Sequence, residues 1–280
     1  MTMLLHFLAL WAVIYVVTFA AYIGFGAIFQ WFAHKNPERR IQAGRRGEKR
    51  KWKEIRQSAW SLTATCFCLA FGLFAQAMGW TLFAPLELSW WSVPLMFAVS
   101  IVAFDAWFYW AHRLMHWGPL YKHHQYHHRS VAPTVWSNYS DTMVDAFVMQ
   151  SYYLWAPLIL PIPPAVLIGH RVYDHFNGMI GHSGFEFAAS KWTRIPSPMV
   201  CTLFHDQHHS HFNTNFANFF SFWDRVMGTL DKDYDPGVKR WSVPGEPEPA
   251  PKRSRAVPAA NASTTAAPAA SGQAGASPVS

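Results

Sequence analysis

"VPLMFAVSIVAFDAWFYWAHRLMHWGPLYKHHQYHH" occupies residues 93–128. From Val93 to Ala111 it is apolar enough to cross a bilayer, broken only by Asp105. From His112 it turns into six histidines within seventeen residues. A span that runs straight into a dense group of imidazoles sets the expectation for the fold. A membrane helix delivers metal-binding side chains to the membrane surface. Thirteen of the fifteen histidines of the chain lie between His112 and His211.

Composition agrees with a lipid environment. Of 280 residues, 51% are apolar and 17% aromatic, and only 14% are charged, against about 25% charged in a soluble domain. Further apolar runs cover residues 3–32 and 59–83. Residues 144–172 are also apolar but carry Pro157, Pro161, Pro163 and Pro164. Proline breaks helices, so this stretch predicts an antiparallel helical hairpin that closes a bundle. The expected fold is an all-α polytopic membrane bundle, residues 1–240, with a cytoplasmic histidine-rich metal site. Residues 35–56 hold ten Lys or Arg and three Glu, which places that loop on the cytoplasmic side. Counting spans from there brings the end of the third one, and the histidines, to the same face. The Pro/Ala/Ser-rich tail, residues 241–280, cannot bury a core and is expected to be disordered. Asn138 and Asn261 sit in glycosylation-like triplets on the cytoplasmic side of this topology and are discounted. Cys66, Cys68 and Cys201 are too few for a disulfide framework. Cys66 and Cys68 read as packed or lipid-facing thiols, because soft-metal sites use other spacings.

Histidine spacing carries the chemistry. His112 and His116, four apart, share one helix face. His124, His127 and His128 form a triplet spaced three and one, and His205, His208 and His209 repeat it. In such a triplet two rings point together and the third reaches a neighbouring site. Eight imidazoles exceed one ion and suit two. Left without a metal, so many polar rings at a membrane surface would destabilise the fold. Imidazole accepts iron, zinc, copper and nickel alike. His123, four before His127, offers an alternative frame, but His124 matches the second triplet.

The pattern HxxxH, HxxHH, HxxHH in a polytopic chain resembles the fatty acid hydroxylase and sterol desaturase superfamily of membrane di-iron enzymes. "DAWFYWAHRLMH" is similar to that family's entry into the first box. "LYKHHQYHHRSVAPTVWSNYSDTMVDAFVMQS" resembles the second box of sterol desaturases of the lathosterol-oxidase type. "NTNFANFFSFWDRVMGT" resembles the closing segment, with Asn215, Phe216 and Ala217 where Asn-Tyr-Gly is usual. The resemblance implies catalysis through His112, His116, His124, His127, His128, His205, His208 and His209 as iron ligands. It adds His182, in Gly-His-Ser-Gly, as a ninth. Gly178 stands where some relatives have a further histidine. His170, His175 and His211 are expected near the centre or the membrane interface without binding metal.

The implied reaction is dioxygen-dependent hydroxylation or desaturation of a membrane lipid, sterol-like or fatty-acyl, at two non-haem irons. Asp105, Asp206 and Asp224 are candidates to orient ligand imidazoles, with an arginine as the other expected partner of Asp105. Asp224 can instead pair with Arg225. With no GxGxxG fingerprint, iron–sulfur cysteine set or His-Pro-Gly-Gly stretch, electrons are expected from a separate reductase and small carrier. The loop cations Arg45, Arg46, Lys49, Arg50 and Lys51 are candidates to dock it. No nucleic-acid partner is expected. The membrane is expected to be a bacterial inner membrane, or the endoplasmic reticulum in a eukaryote. The rival class is a membrane metal transporter or sensor built on the same histidines, but transporters place ligands near mid-membrane. A zinc hydrolase needs three ligands and a base, fewer than are present.

Overall fold

The run that opens at Val93 folds as one continuous helix, Ser92–Met115, capped by His116. The computed structural model describes residues 2–42, 44–190 and 199–242. Among the described residues regular structure is helical, apart from one isolated bridge between Arg40 and Phe185. In chain order the helices are α1 (Thr2–Lys35), α2 (Lys51–Ala77), α3 (Ser92–Met115), α4 (Gly118–His124), α5 (Met143–Gln150), α6 (Tyr152–Ile159), α7 (Pro164–Gly181), α8 (Thr202–His211), α9 (Phe222–Val226) and α10 (Tyr234–Ser242). Three are long and apolar enough to cross a membrane: α1, α2 with its leading turn from Glu48, and α3. The tail expected to be disordered lies outside the described residues from 243 onward, as does Asn261.

Element boundaries follow local chemistry. The second span, expected over 59–83, is helical from Lys51 and stops at Ala77. Gly79, at φ +71°, ends it. Its N–H bonds the Gln76 carbonyl, and the Trp80 N–H bonds the Ala75 carbonyl. That pair of bonds is a Schellman cap, which a left-handed glycine makes possible. The proline-rich stretch does form a hairpin. Pro157 sits inside α6, the chain turns over residues 160–163, and Pro164 starts α7. A further break at Ser151 splits its first arm into α5 and α6.

Helix α2 lies at the centre, against α1, α5 and α6. Close packing depends on small residues, as is usual where lipid rather than water surrounds a bundle. A Cβ on Gly72 would meet the Tyr153 carbonyl oxygen at 2.1 Å and Pro157 Cγ at 2.7 Å. A Cβ on Gly26 of α1 would meet the Trp136 ring at 2.7 Å. Cys66 and Cys68 are buried and unbonded to each other, consistent with packed thiols.

Gly72→Ala should lower the thermal midpoint of the solubilised protein, at a cost of about 1–3 kcal/mol for overpacking. Gly24→Ala, where a Cβ meets nothing within 4 Å, should leave it unchanged or raise it slightly.

Candidate metal centre

Helix ends and the loops beyond them bring nine histidines into two adjacent groups. His112, His116, His124, His128 and His208 form one, and His127, His182, His205 and His209 the other. Within each group the ligand nitrogens lie within 4.8 Å of one another. The triplets divide as their spacing predicts. His124 and His128 face the first group while His127 turns to the second. His205 and His209 stay together while His208 crosses to the first. These are the nine histidines expected from the sequence. His123 contributes only its carbonyl, to the Thr142 hydroxyl.

The outer nitrogens are locked. His112 Nδ1 donates to the Phe216 carbonyl at 2.7 Å, His182 Nδ1 to Gly178 at 2.7 Å and His208 Nδ1 to Thr214 at 2.6 Å. His124 Nδ1 donates to Asp145 at 2.8 Å, and His127 Nδ1 lies 2.7 Å from Asp141. A carbonyl oxygen only accepts, so those Nδ1 atoms carry the proton and each opposing Nε2 is a bare lone pair. The bare atoms point at one another. His112 Nε2 is 3.1 Å from His124 Nε2, and His208 Nε2 is 3.1 Å from His128 Nε2. In the second group His182 Nε2 is 2.8 Å from His205 Nε2 and 3.2 Å from His127 Nε2.

Two acceptors at such a distance repel unless a cation lies between them. A proton is a poor candidate except on His127, which, despite burial, the Asp141 carboxylate holds above the ordinary value. Burial, reinforced by neighbouring imidazoles, pushes His124 and His182 down to about 3 and holds His205, His208 and His209 well below the ordinary value. A metal fits. Ligand nitrogens about 2.1 Å from a shared ion and at right angles to each other stand about 3.0 Å apart.

The groups that orient these rings are not all the expected ones. Asp105 bonds no imidazole. It accepts the backbone N–H groups of Asn218, Phe219 and Phe220 at 3.3, 2.7 and 3.1 Å. Asp224 accepts those of Phe216 and Ala217, both at 2.9 Å. Arg225 pairs with Asp235 rather than with Asp224. Asp206 binds Gln42 and Arg45. Asp105 and Asp224 thus act one step out, by fixing the loop that presents the Phe216 carbonyl to His112. His211 bonds Asp231, His175 bonds Tyr139 and His170 bonds Ser100, and none of the three joins either group. A Cβ on Gly178 would meet Asn138 Oδ1 at 2.5 Å, so a larger residue there would require the Asn138 side chain to shift.

Sequence reasoning missed Asp141 and Asp145. It also missed Glu54, buried on α2 and bonded to Ser130 beside the first triplet, and Glu186, whose carboxylate takes the Leu203 N–H at the start of α8.

A cavity of about 560 Å³ opens in front of the centre, walled by His112, His124 and His127 together with His182 and His205. Phe108, Met149 and Phe204 contribute to its apolar lining. Its size suits a lipid-like small molecule.

Fold and site together define a polytopic helical membrane protein with a double histidine centre. Residues 97–229 match the fatty acid hydroxylase family, and the match takes in all nine histidines. It is related in sequence to sterol desaturases. A probable Delta(7)-sterol 5(6)-desaturase of Neurospora crassa is 28% identical over 64% of this chain and 51% of its own length. A methylsterol monooxygenase of Aspergillus fumigatus is 31% identical over 52% of this chain and 50% of its own. A very-long-chain aldehyde decarbonylase of Oryza sativa subsp. indica is 27% identical over 64% of this chain and 30% of its own. The chain spans about half the length of the two sterol-related relatives. No solved structure matches it.

The depressed imidazoles give a signed pH dependence. Unfolded histidines bind protons below about pH 6.5, whereas His124 and His182 in the fold resist them to about 3. Metal-free protein should therefore be stable above pH 6.5 and lose stability steadily as pH falls toward 3. Chemical denaturation between pH 7 and 4 reads this directly. A variant with His208→Gln and His209→Gln should show a shallower slope.

Proposed function

We propose that the protein is a membrane oxidoreductase that uses dioxygen to hydroxylate or desaturate an unactivated C–H bond of a lipid. Two irons held by the nine histidines carry the chemistry. The observation that supports this most is the facing of bare Nε2 atoms in two adjacent groups behind one largely apolar cavity. Bound there, the irons supply dioxygen activation and hydrogen removal from carbon. The kinship with sterol desaturases, methylsterol monooxygenases and an aldehyde decarbonylase favours lipid oxidation over ion transport.

The chain's own residues do the rest. Asp141, Asp145 and the carbonyls of Phe216, Gly178 and Thr214 hold the rings in one tautomer and orientation, so little reorganisation accompanies a change in metal charge. Phe108, Met149 and Phe204 help to keep water from the reacting carbon. Residues 1–240 form the catalytic unit, with the histidines on the cytoplasmic face of a bacterial inner membrane or the endoplasmic reticulum. The lipid enters from the bilayer and electrons arrive from a separate carrier in the aqueous phase.

His208→Ala should insert normally but lose iron and all oxidation product, measured by metal analysis and lipid mass spectrometry. Full activity with full metal occupancy in that variant would overturn the assignment. Asp145→Asn should retain the fold and weaken iron binding about 10- to 100-fold.

The carrier's landing place follows from which cations remain free. The loop after α1 is strapped to the histidine region, with Gln42 bonding the Pro133 carbonyl and Arg45 the Val131 carbonyl. Three candidate docking cations serve the fold instead. Arg45 pairs with Asp206, Arg50 pairs with Glu54, and Lys51 bonds Gln30 and lies 4.5 Å over the Trp136 ring. Arg46, Lys49, Lys53 and Arg56 are exposed. Replacing Arg46, Lys49 and Lys53 with Gln should slow turnover at low salt with an acidic carrier, with the deficit shrinking as salt rises. Iron content should not change. Full activity at limiting carrier would show that these charges set topology alone.

A further inference from the structure

Tyr139, on the loop before α5, is 4% exposed and lines the cavity together with His127 and Asp141. Its hydroxyl lies 2.8 Å from Arg171 Nη2 and 2.8 Å from His175 Nδ1. A guanidinium only donates, so the phenol oxygen accepts from Arg171. Its own proton then points at His175 Nδ1. That nitrogen is a bare lone pair, and the ring proton of His175 sits on Nε2. Burial pushes the Tyr139 hydroxyl up to about 12, so the phenol is protonated at neutral pH. Other buried phenols are placed differently. The hydroxyls of Tyr22 and Tyr152 donate to the carbonyls of Trp136 and Ser100, at 2.7 and 3.0 Å. A carbonyl cannot carry the proton off, whereas an imidazole can. The difference matters when a phenol loses an electron. It then becomes a very strong acid, and its radical lasts only where a base takes the proton.

Tyr139 also stands between the histidines and a row of aromatic rings. Asp141, two residues on, meets His127 Nδ1 at 2.7 Å, and two residues of chain reach at most about 7 Å. On the other side, ring centroids are 5.8 Å apart from Tyr139 to Tyr22 and 5.6 Å from Tyr22 to Trp136. Trp136 bonds Gln30 through its indole N–H, and Lys51 lies 4.5 Å over its ring. Lys51 also lies 5.6 Å from the ring of Trp52, which is exposed. Buried rings thus lead in short steps from the cavity wall to the surface end of α2.

We infer that Tyr139 and His175 form a redox-active pair, an outlet that draws an oxidising equivalent from the metal centre and passes it through Tyr22 and Trp136 to the surface. Tyr139 gives one electron to the oxidised centre, which is reduced by one. The phenol O–H bond breaks, the proton joins His175 Nδ1, and a neutral tyrosyl radical faces an imidazolium. Asp174, 3.2 Å from Arg171, offsets the added positive charge. An electron from a soluble thiol, relayed by Trp136 and Tyr22, restores the phenol as the proton returns from His175. The need for an outlet rests on the oxidation proposed above. Dioxygen that reacts with no lipid in place leaves an oxidant whose nearest targets are the histidines themselves.

The pair is tested first without iron. Metal-free Lys53→Cys protein in nanodiscs carries a ruthenium tris-bipyridine photo-oxidant on the new thiol. Lys53 is exposed, and the native cysteines are buried. Flash oxidation should give a long-lived radical whose electron paramagnetic resonance spectrum narrows when the tyrosines are ring-deuterated. Tyr139→Phe should abolish it, and His175→Leu should slow its formation about 100-fold, as expected for loss of a positioned base. Heavy water should slow it in the wild-type protein, because proton and electron leave together. No tyrosyl signal in the wild-type protein, or one that survives Tyr139→Phe, would overturn the pair. The wild-type measurement decides even if a variant does not fold. Iron-loaded protein is then exposed to dioxygen without lipid. Tyr139→Phe should accumulate oxidised histidine several-fold faster than wild type, read by peptide mass spectrometry. Equal damage while dioxygen is consumed would overturn the outlet. A wild-type protein that forms the radical but never oxidises a lipid would sink the proposed reaction and leave the pair standing.

Discussion

Lone pairs of the same kind, held about 3 Å apart inside a membrane protein, are the constraint on which the rest of the structure turns. The Nε2 atoms of His112, His124, His127, His182 and His208 are each aimed by a contact on the far side of the ring. Without those outer bonds the rings would rotate, change tautomer and satisfy each other as donor and acceptor. With them, the only favourable occupant is a cation. The carbonyls of Phe216, Thr214 and Gly178 are therefore as much a part of the centre as the histidines.

Those carbonyls are fixed in turn by groups that never approach a metal. The loop from Phe212 to Phe220 contains two non-glycine residues at positive φ, Phe212 at 68° and Asn215 at 60°. Such a path persists only when its surroundings over-determine it. Asp105 gathers three of its N–H groups and Asp224 two more, while Asn215 bonds the Phe204 carbonyl and receives the Asp231 N–H. A carboxylate inside a span is expensive. Here its cost is offset by a cradle of backbone donors, and what the cradle secures is the placement of one carbonyl behind His112.

Much of this was legible in the sequence, for identifiable reasons. Spans and histidine groups are periodic features, and the i, i+3, i+4 spacing of both triplets forecasts how they divide between two sites. Helix ends were less legible. Gly79 marked the true end of α2, but the apolar residues after it hid the signal. The roles of Asp105, Asp206 and Asp224 were misread because a carboxylate near ligands in sequence need not face them. Asp105 and Asp206 meet backbone amides and an Arg–Gln pair more than a hundred residues away, while Asp224 meets backbone amides of the loop just before it. Asp141 and Asp145 escaped notice because nothing in their local pattern distinguishes an acid that caps or solvates a helix from one that meets an imidazole across the fold.

Gly178 joins packing to ligand placement. The position serves the site in two ways. Its carbonyl accepts the His182 Nδ1 proton, and its missing side chain makes room for Asn138 on the loop before α5. A larger residue there would have to shift the Asn138 amide on the loop that also carries Tyr139 and Asp141. Tyr139 in turn accepts a hydrogen bond from Arg171. Gly178 is thus tied to the same loop that supports His127 on one side and lines the cavity on the other. Metal site and substrate space are built from one set of contacts, so neither can be altered without the other registering it.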